Sequence, residues 1–278
     1  MSPPEHHRYG RARSQYGELF LPGGDGPFPV AVVLHGGFWR VQYGRKLMHP
    51  LCADLVARGW AAWNVEYRRL GRLSGGGFPR TLDDVAAAVD HLADLRSHAL
   101  SATGDGVRGA KPPARGEPKA GQTLFRLERV VAIGHSAGGH LAAWLATREA
   151  PRVAVSGVAA QAGVVDLRLA SELGLSGGVV RRLLGGTPAD VPDRYTAASP
   201  AERLPLGVPA LLTHGARDDI VPPLMSERFA AAARAAGDDV DLVVEPGEGH
   251  LGHLEPENAL WQAVTTWLAR AGDARSGR

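Results

Sequence analysis

Val130-Val131-Ala132-Ile133-Gly134-His135-Ser136-Ala137-Gly138-Gly139-His140-Leu141 is the stretch on which the reading of this chain turns. A short apolar run leads into Gly-x-Ser-x-Gly, and a segment with helical spacing, His140–Thr147, follows. Strand, tight turn and helix in that order put a serine at the tip of a turn, where its hydroxyl can act as a nucleophile. The two glycines fit because a bulkier residue has no room on such a turn. The pattern alone is weak: with 36 glycines in the chain, chance supplies about 0.2 matches. A second match, Gly174-Leu175-Ser176-Gly177-Gly178, follows a leucine-rich helical stretch and reads as a glycine-softened loop. Context therefore selects Ser136 over Ser176.

The same alternation extends along the chain. Val30–Leu34, Ala61–Val65, Val130–Ile133, Val153–Ala159, Ala210–Thr213 and Val240–Val244 read as short buried strands. Leu47–Arg58, Leu82–Arg96, His140–Thr147, Leu224–Ala235 and Asn258–Arg270 carry apolar residues at helical spacing. Alternating strands and helices predict the α/β class, a mainly parallel sheet with helices on both faces. Glu18–Leu21 reads as an antiparallel edge strand. Two segments break the rhythm. Ser101–Gly121 is rich in glycine and proline with hardly a large apolar side chain, so a flexible insertion is expected there. The leucine-rich Asp166–Leu206 suits a small cap of short helices over the carboxyl edge of the sheet. With no internal repeat and no linker, residues 1–278 are expected to form one domain.

Outward from Ser136, the partners of a serine nucleophile can be sought by position. His35-Gly36-Gly37-Phe38-Trp39 follows the strand Val30–Leu34, where glycines let backbone N–H groups approach a developing oxyanion. The Ala137 N–H is the expected second donor, and Phe38, Trp39 and Tyr67 are candidates for an aromatic pocket. An acid and a base should follow in the order Ser, Asp, His. His214-Gly215-Ala216-Arg217-Asp218-Asp219 comes just after one strand and Glu248-Gly249-His250 after the next. Carboxyl-end loops are where α/β sheets place their sites. At this level Asp219 can replace Asp218, and His253 can replace His250. The spacing His250-x-x-His253 also permits a zinc site, but no third ligand stands out.

Taken together, these motifs resemble the α/β-hydrolase superfamily, serine esterase branch, from Glu18 to Arg270. Within it, His35–Trp39 and Gly134–Leu141 are similar to the kynurenine formamidases (arylformamidases) and related small-ester hydrolases. That resemblance implies the α/β-hydrolase fold, with Asp218 in the His-Gly-x-x-Asp-x-x-Val-Pro element and His250 in the Gly-x-Gly-His element as triad partners of Ser136. It implies hydrolysis of small esters or aryl formamides through an acyl-enzyme, with no cofactor. Aminopeptidase-like amide hydrolysis is the alternative, although members of the prolyl-oligopeptidase type carry a propeller for which 278 residues leave no room. A non-catalytic binding protein on the same scaffold is the alternative from another class.

Composition narrows the partners. Lysine plus arginine number 31 and aspartate plus glutamate 29, a net charge of +2. So small an excess, almost all of it arginine, is no footprint for nucleic acid. One cysteine, Cys52, excludes an internal disulfide framework. No run of eighteen apolar residues is present, and Met1–Tyr16 lacks the apolar core of a signal peptide. The expectation is a cytoplasmic protein acting on a small molecule, without nucleic-acid or membrane partners.

Overall fold

The computed structural model describes residues 3–95 and 124–273. The expected insertion at 101–121 lies outside these residues. Eight strands form one sheet: β1 (Glu5–Arg8), β2 (Tyr16–Phe20), β3 (Phe28–Leu34), β4 (Ala61–Glu66), β5 (Phe125–His135), β6 (Gly157–Gln161), β7 (Ala210–Gly215) and β8 (Val240–Glu245). Their order is β1-β2-β4-β3-β5-β6-β7-β8, and every pair from β4 to β8 is parallel. The sheet is the α/β-hydrolase arrangement that the resemblance implies.

Alternation of side chains explains how one sheet supports two cores. Val30, Val32 and Leu34 of β3 enter the larger apolar cluster, whereas Ala31 and Val33 enter the smaller one behind it. A period of two places successive residues on opposite faces, and a strand buried on both must be apolar throughout. The helices α1 (His49–Ala57) and α8 (Ala259–Asp273) cover the smaller cluster through Leu51, Leu55, Trp261 and Val264. Residues of α2 (Arg80–Asp90), α3 (Ala137–Ala146) and α7 (Leu224–Ala235) cover the other. Between β6 and β7 run three short helices, α4 (Leu167–Glu172), α5 (Leu175–Leu184) and α6 (Pro192–Ala198), in the span expected to form a cap.

Several boundaries differ from the sequence expectations; the strand expected at Val130–Ile133, for one, runs from Phe125 to His135. The strand at Glu18–Leu21 begins earlier, at Tyr16, and is not at the edge: it pairs antiparallel with β4 on one side and with β1 on the other. Its outer neighbour, Glu5–Arg8, has exposed histidine and charged residues and no apolar signal, so backbone pairing alone makes it a strand. The strand expected from Val153 starts only at Gly157; Val153 and Val155 are buried but lie in the preceding loop.

His140 ties α3 to α6. Its Nε2 donates to the Ala198 carbonyl at 2.9 Å, and Trp39 meets the ring edge-on with centroids 5.2 Å apart. Complete burial pushes its pKa down to about 4, so it stays neutral in the folded chain when free histidine takes up a proton. Stability from this residue is therefore intact above about pH 6.5 and is lost as pH falls toward 4, at about 1.4 kcal/mol per pH unit. Urea unfolding at pH 7, 6 and 5 should show a falling free energy, and His140→Gln should reduce that slope by one proton. An unchanged slope in the variant would mean His140 is charged in the native state.

Candidate active site

The carboxyl ends of β3 and β5 are neighbours, with Leu34 paired to Gly134. Chain crossing is so close there that glycine is obligatory. A Cβ on Gly134 would lie 2.0 Å from the Gly138 carbonyl oxygen, and one on Gly138 would lie 2.0 Å from that of Leu34. The turn between them forces Ser136 to φ 55° and ψ −116°, a conformation that costs a non-glycine residue about 1–3 kcal/mol. Three bonds hold it: the Ser136 N–H donates to the Gln161 carbonyl at 2.8 Å, and the Ser136 carbonyl accepts from the amides of His140 at 3.2 Å and Val164 at 3.3 Å. The Ser136 hydroxyl is buried and has no hydrogen-bond partner among the described residues. It is the second of the motif's two serines that differs: Ser176 (φ 48°), with Gly177 and Gly178, forms a left-handed kink inside α5, and its carbonyl accepts from Arg40 at 2.6 Å.

Asp218 and His250 come from loops beyond β7 and β8. Gly215 lets these loops press together, since a Cβ there would meet the Glu248 carbonyl oxygen at 2.4 Å; the Arg217 N–H donates to that same oxygen at 2.8 Å. The result is a 2.6 Å hydrogen bond from His250 Nδ1 to Asp218 Oδ2. Asp218 Oδ1 accepts from the amides of Ile220 and Val221, each at 2.9 Å, and His214 Nε2 lies 3.2 Å from Oδ2. Burial by itself raises the Asp218 carboxyl, but His214, His250 and the Val221 amide outweigh it and hold the group well below the usual range. The carboxylate is thus ionised and fixes the tautomer that leaves His250 Nε2 free as a base.

The alternatives left open by the sequence separate here. Among the described residues the exposed Asp219 has no side-chain partner, while His253 is buried with Nδ1 3.2 Å from the Thr213 hydroxyl and Nε2 unpartnered. Burial and the neighbouring histidines push His253 well below the ordinary range, so it is a neutral packing residue. The hydrogen bond between Ser136 and His250 is not formed, as is common for catalytic contacts that tighten only around substrate.

The oxyanion turn carries three residues in the left-handed region, Gly37 (φ 105°), Phe38 (φ 51°) and Trp39 (φ 54°). Among the described residues the amides of Gly37, Phe38 and Ala137 donate to no protein acceptor. They are available donors of the type that stabilises a tetrahedral oxyanion. Gly36 packs on the nucleophile turn, where a Cβ would sit 2.8 Å from the His135 carbonyl oxygen. Behind the turn, His35 contacts the Gly36 carbonyl at 2.8 Å and Glu66 Oε1 at 3.0 Å, and the Tyr67 hydroxyl donates to the His35 carbonyl at 2.7 Å. One correction concerns the aromatic candidates. Trp39 and Tyr67 are fully buried, the first against His140 and the second stacked on His35 with centroids 4.4 Å apart, so both brace the turn from the core and only Phe38 is partly exposed.

Sequence reasoning missed two supporting residues. His135 Nε2 donates to the His250 carbonyl at 2.8 Å and its ring lies 4.6 Å from that of His250. Burial, followed by the charge on His250, pushes His135 down to about 3 and keeps it neutral. His214, which contacts Asp218, carried a readable signal in its four-residue spacing from that aspartate; His135, lying in the variable position of the motif, carried none.

Comparison with known proteins gives the family and the fold. The profile of the prolyl oligopeptidase family matches residues 119–273, more than half of the chain and the part that holds Ser136, Asp218 and His250. The chain belongs to the prolyl oligopeptidase family. A curated relative, esterase LipQ of Mycobacterium tuberculosis, is 26% identical over 226 residues, which is 75% of this chain and 46% of the relative. The chain therefore spans about half the length of the curated relative it matches. Among solved structures, Thermogutta terrifontis esterase 2 phosphoramylated by tabun superposes with a TM-score of 0.72 at 22% identity, covering 100% of this chain and 96% of the other. The same esterase with butyrate bound gives 0.70 at 23% identity, covering 99% and 95%. This family member thus has the fold of those esterases. No helix among the described residues is long and apolar enough to cross a membrane.

The geometry of the turn makes a paired test. Gly138→Ala should destabilise the family member by more than about 3 kcal/mol, because two backbones must move apart. Ser136→Gly should raise the melting temperature, since glycine adopts this conformation without strain and a gain of about 1 kcal/mol is expected after its greater freedom in the unfolded chain is subtracted. A Ser136→Gly protein less stable than the parent would show that the turn stores no strain.

Proposed function

We propose that the protein is a serine hydrolase that cleaves small carboxylic esters through an acyl-enzyme. The observation that carries this is the 2.6 Å bond between His250 and the ionised Asp218, set on the loops beside a serine held in a strained turn. Ser136 Oγ attacks the carbonyl carbon as His250 Nε2 takes its proton, and the C–O bond to the alcohol breaks as His250 returns the proton to it. Water then attacks the acyl group by the same route, releasing the acid and restoring Ser136. Ala137 N–H with Gly37 or Phe38 N–H meets the oxyanion in both steps.

Support for a small acyl group comes from two directions. The α4–α6 segment, read as a cap, is tied to the oxyanion loop by the Arg40–Ser176 bond and to α3 by the His140–Ala198 bond. The structural neighbour with butyrate bound supports the same size class. Exposed apolar side chains, among them Val41, Ile220, Leu224 and Leu251, suit an ester with an apolar portion. The aryl formamide reading keeps Phe38 but loses Trp39 as a contact surface. Family membership favours a second reading, hydrolysis of aminoacyl amides, which need His250 to protonate the departing nitrogen.

A fluorophosphonate probe should label Ser136, and Ser136→Ala should abolish both labelling and turnover of p-nitrophenyl acetate and butyrate. Ser176→Ala should retain the rate within a few-fold. Absence of label on folded protein would favour a binding protein on a hydrolase scaffold. Across p-nitrophenyl esters, kcat/KM should decline gradually with chain length, each methylene counting for about 1–3 kcal/mol at most; a maximum beyond about eight carbons would contradict the capped pocket. Faster cleavage of aminoacyl anilides or N-formylkynurenine than of any ester would replace the ester reading.

A further inference from the structure

Beside the oxyanion turn, on the β4 and β2 side, lies a cavity of about 500 Å³ walled by Tyr16, Tyr43, Arg45, Lys46, Glu66 and Arg69 among others. Its size is that of a pocket for a small ligand. Tyr43 joins it to the reaction site: a Cβ on Gly37 would lie 2.2 Å from the Cβ of Tyr43, so this residue covers the oxyanion glycine while also lining the cavity.

The charge in the walls is not balanced. Arg45 Nη2 pairs with Glu18 at 2.9 Å and its guanidinium lies 4.7 Å from the centre of the Tyr16 ring. Arg69 Nε lies 3.2 Å from Glu66 Oε1. Both glutamates are held ionised below their ordinary range against the effect of burial, Glu18 by His49 and Arg45, and Glu66 by His35 and Arg69. Each arginine is thereby matched to one carboxylate. Lys46 is the third cation, is exposed, and has no carboxylate within ion-pair distance among the described residues. A surplus positive charge on the wall of a cavity bounded by two tyrosines calls for a ligand with a carboxylate.

We propose that this cavity is a substrate subsite that takes a carboxylate remote from the scissile ester, with Lys46 as its recognition charge. The proposal rests on the ester hydrolase reading and specifies its substrate class: esters carrying a free carboxylate on the acyl or the alcohol side.

Two matched pairs of substrates test it. On the acyl side, mono-p-nitrophenyl glutarate is compared with p-nitrophenyl pentanoate; on the alcohol side, 4-acetoxybenzoate is compared with its methyl ester. In at least one pair the ratio of anionic to neutral kcat/KM should fall about fivefold in Lys46→Ala, fall further in Lys46→Glu, and decrease with added sodium chloride in the parent. The effect should lie in KM. Ratios equal in the parent and both variants for both pairs would overturn the subsite while leaving the hydrolase reading intact. Should no ester turn over and Ser136 resist the fluorophosphonate, the hydrolase reading fails, and calorimetry with glutarate decides the cavity on its own. Binding to the parent that is lost in Lys46→Glu supports the subsite, and no binding to the parent overturns it.

Discussion

The contact on which the site depends is between backbones, not side chains. Gly138 lies against the Leu34 carbonyl, Gly134 against the carbonyl of Gly138, and Gly36 against the His135 carbonyl. Three strand and helix ends share a space in which no Cβ fits. This crossing brings the oxyanion turn after β3 and the nucleophile turn after β5 to adjacent positions, and it holds Ser136 in a conformation the residue would otherwise leave. The supporting packing is large: Val30, Val32, Leu34, Val130 and Ala132 are buried on one side of the sheet and Ala31, Val33, Val131 and Ile133 on the other. Burial on both faces provides the rigidity against which a strained turn can be maintained.

Electrostatics then sorts the histidines by role. Four lie near Asp218, and their partners differ. His250 has the carboxylate on Nδ1. His214 stands at the other side of that carboxylate, its Nδ1 accepting from the Ser226 hydroxyl at 2.7 Å and its Nε2 donating to the Val221 carbonyl at 2.8 Å. His135 and His253 have no acid of their own and are kept neutral by burial. Crowding imidazoles is tolerable because the buried neutral ones carry no charge. The arrangement couples the fold to acid sensitivity, because every neutral buried histidine is a proton the unfolded chain takes up first.

The oxyanion side is braced differently. His35, Glu66 and Tyr67 form a small polar cluster inside an apolar surround, and Trp39 wedges against His140. Glu66 also faces the cavity beside the turn, so one carboxylate serves both the brace and the wall of the neighbouring space. A ligand in that cavity touches residues one step removed from the amides of Gly37 and Phe38.

Local pattern determined much of this protein. Mostly apolar runs of four to seven residues marked the six parallel strands, since a parallel strand covered on both faces must be apolar along its length; β8, at the sheet edge, is only partly buried. Gly134 to Gly138, placed between such a run and a helix, marked Ser136 against Ser176 for the same reason: local geometry follows from neighbours in sequence. Long-range register was not legible. Spacing by itself did not separate Asp218 from Asp219 or His250 from His253, which only motif resemblance ranked, because the contact depends on how two loops 32 residues apart press together at Gly215. The antiparallel strand at Tyr16–Phe20 lost its edge position to Glu5–Arg8, a segment with no apolar signal that gained its structure from backbone pairing. Trp39 looked like pocket surface and is core, and the cavity around Lys46 is assembled from β2, β4 and two loops that no spacing connects. Local sequence encodes which residues can form a strand, a turn or a helix face; only packing in three dimensions decides which carboxylate meets which imidazole and which side chains share a cavity.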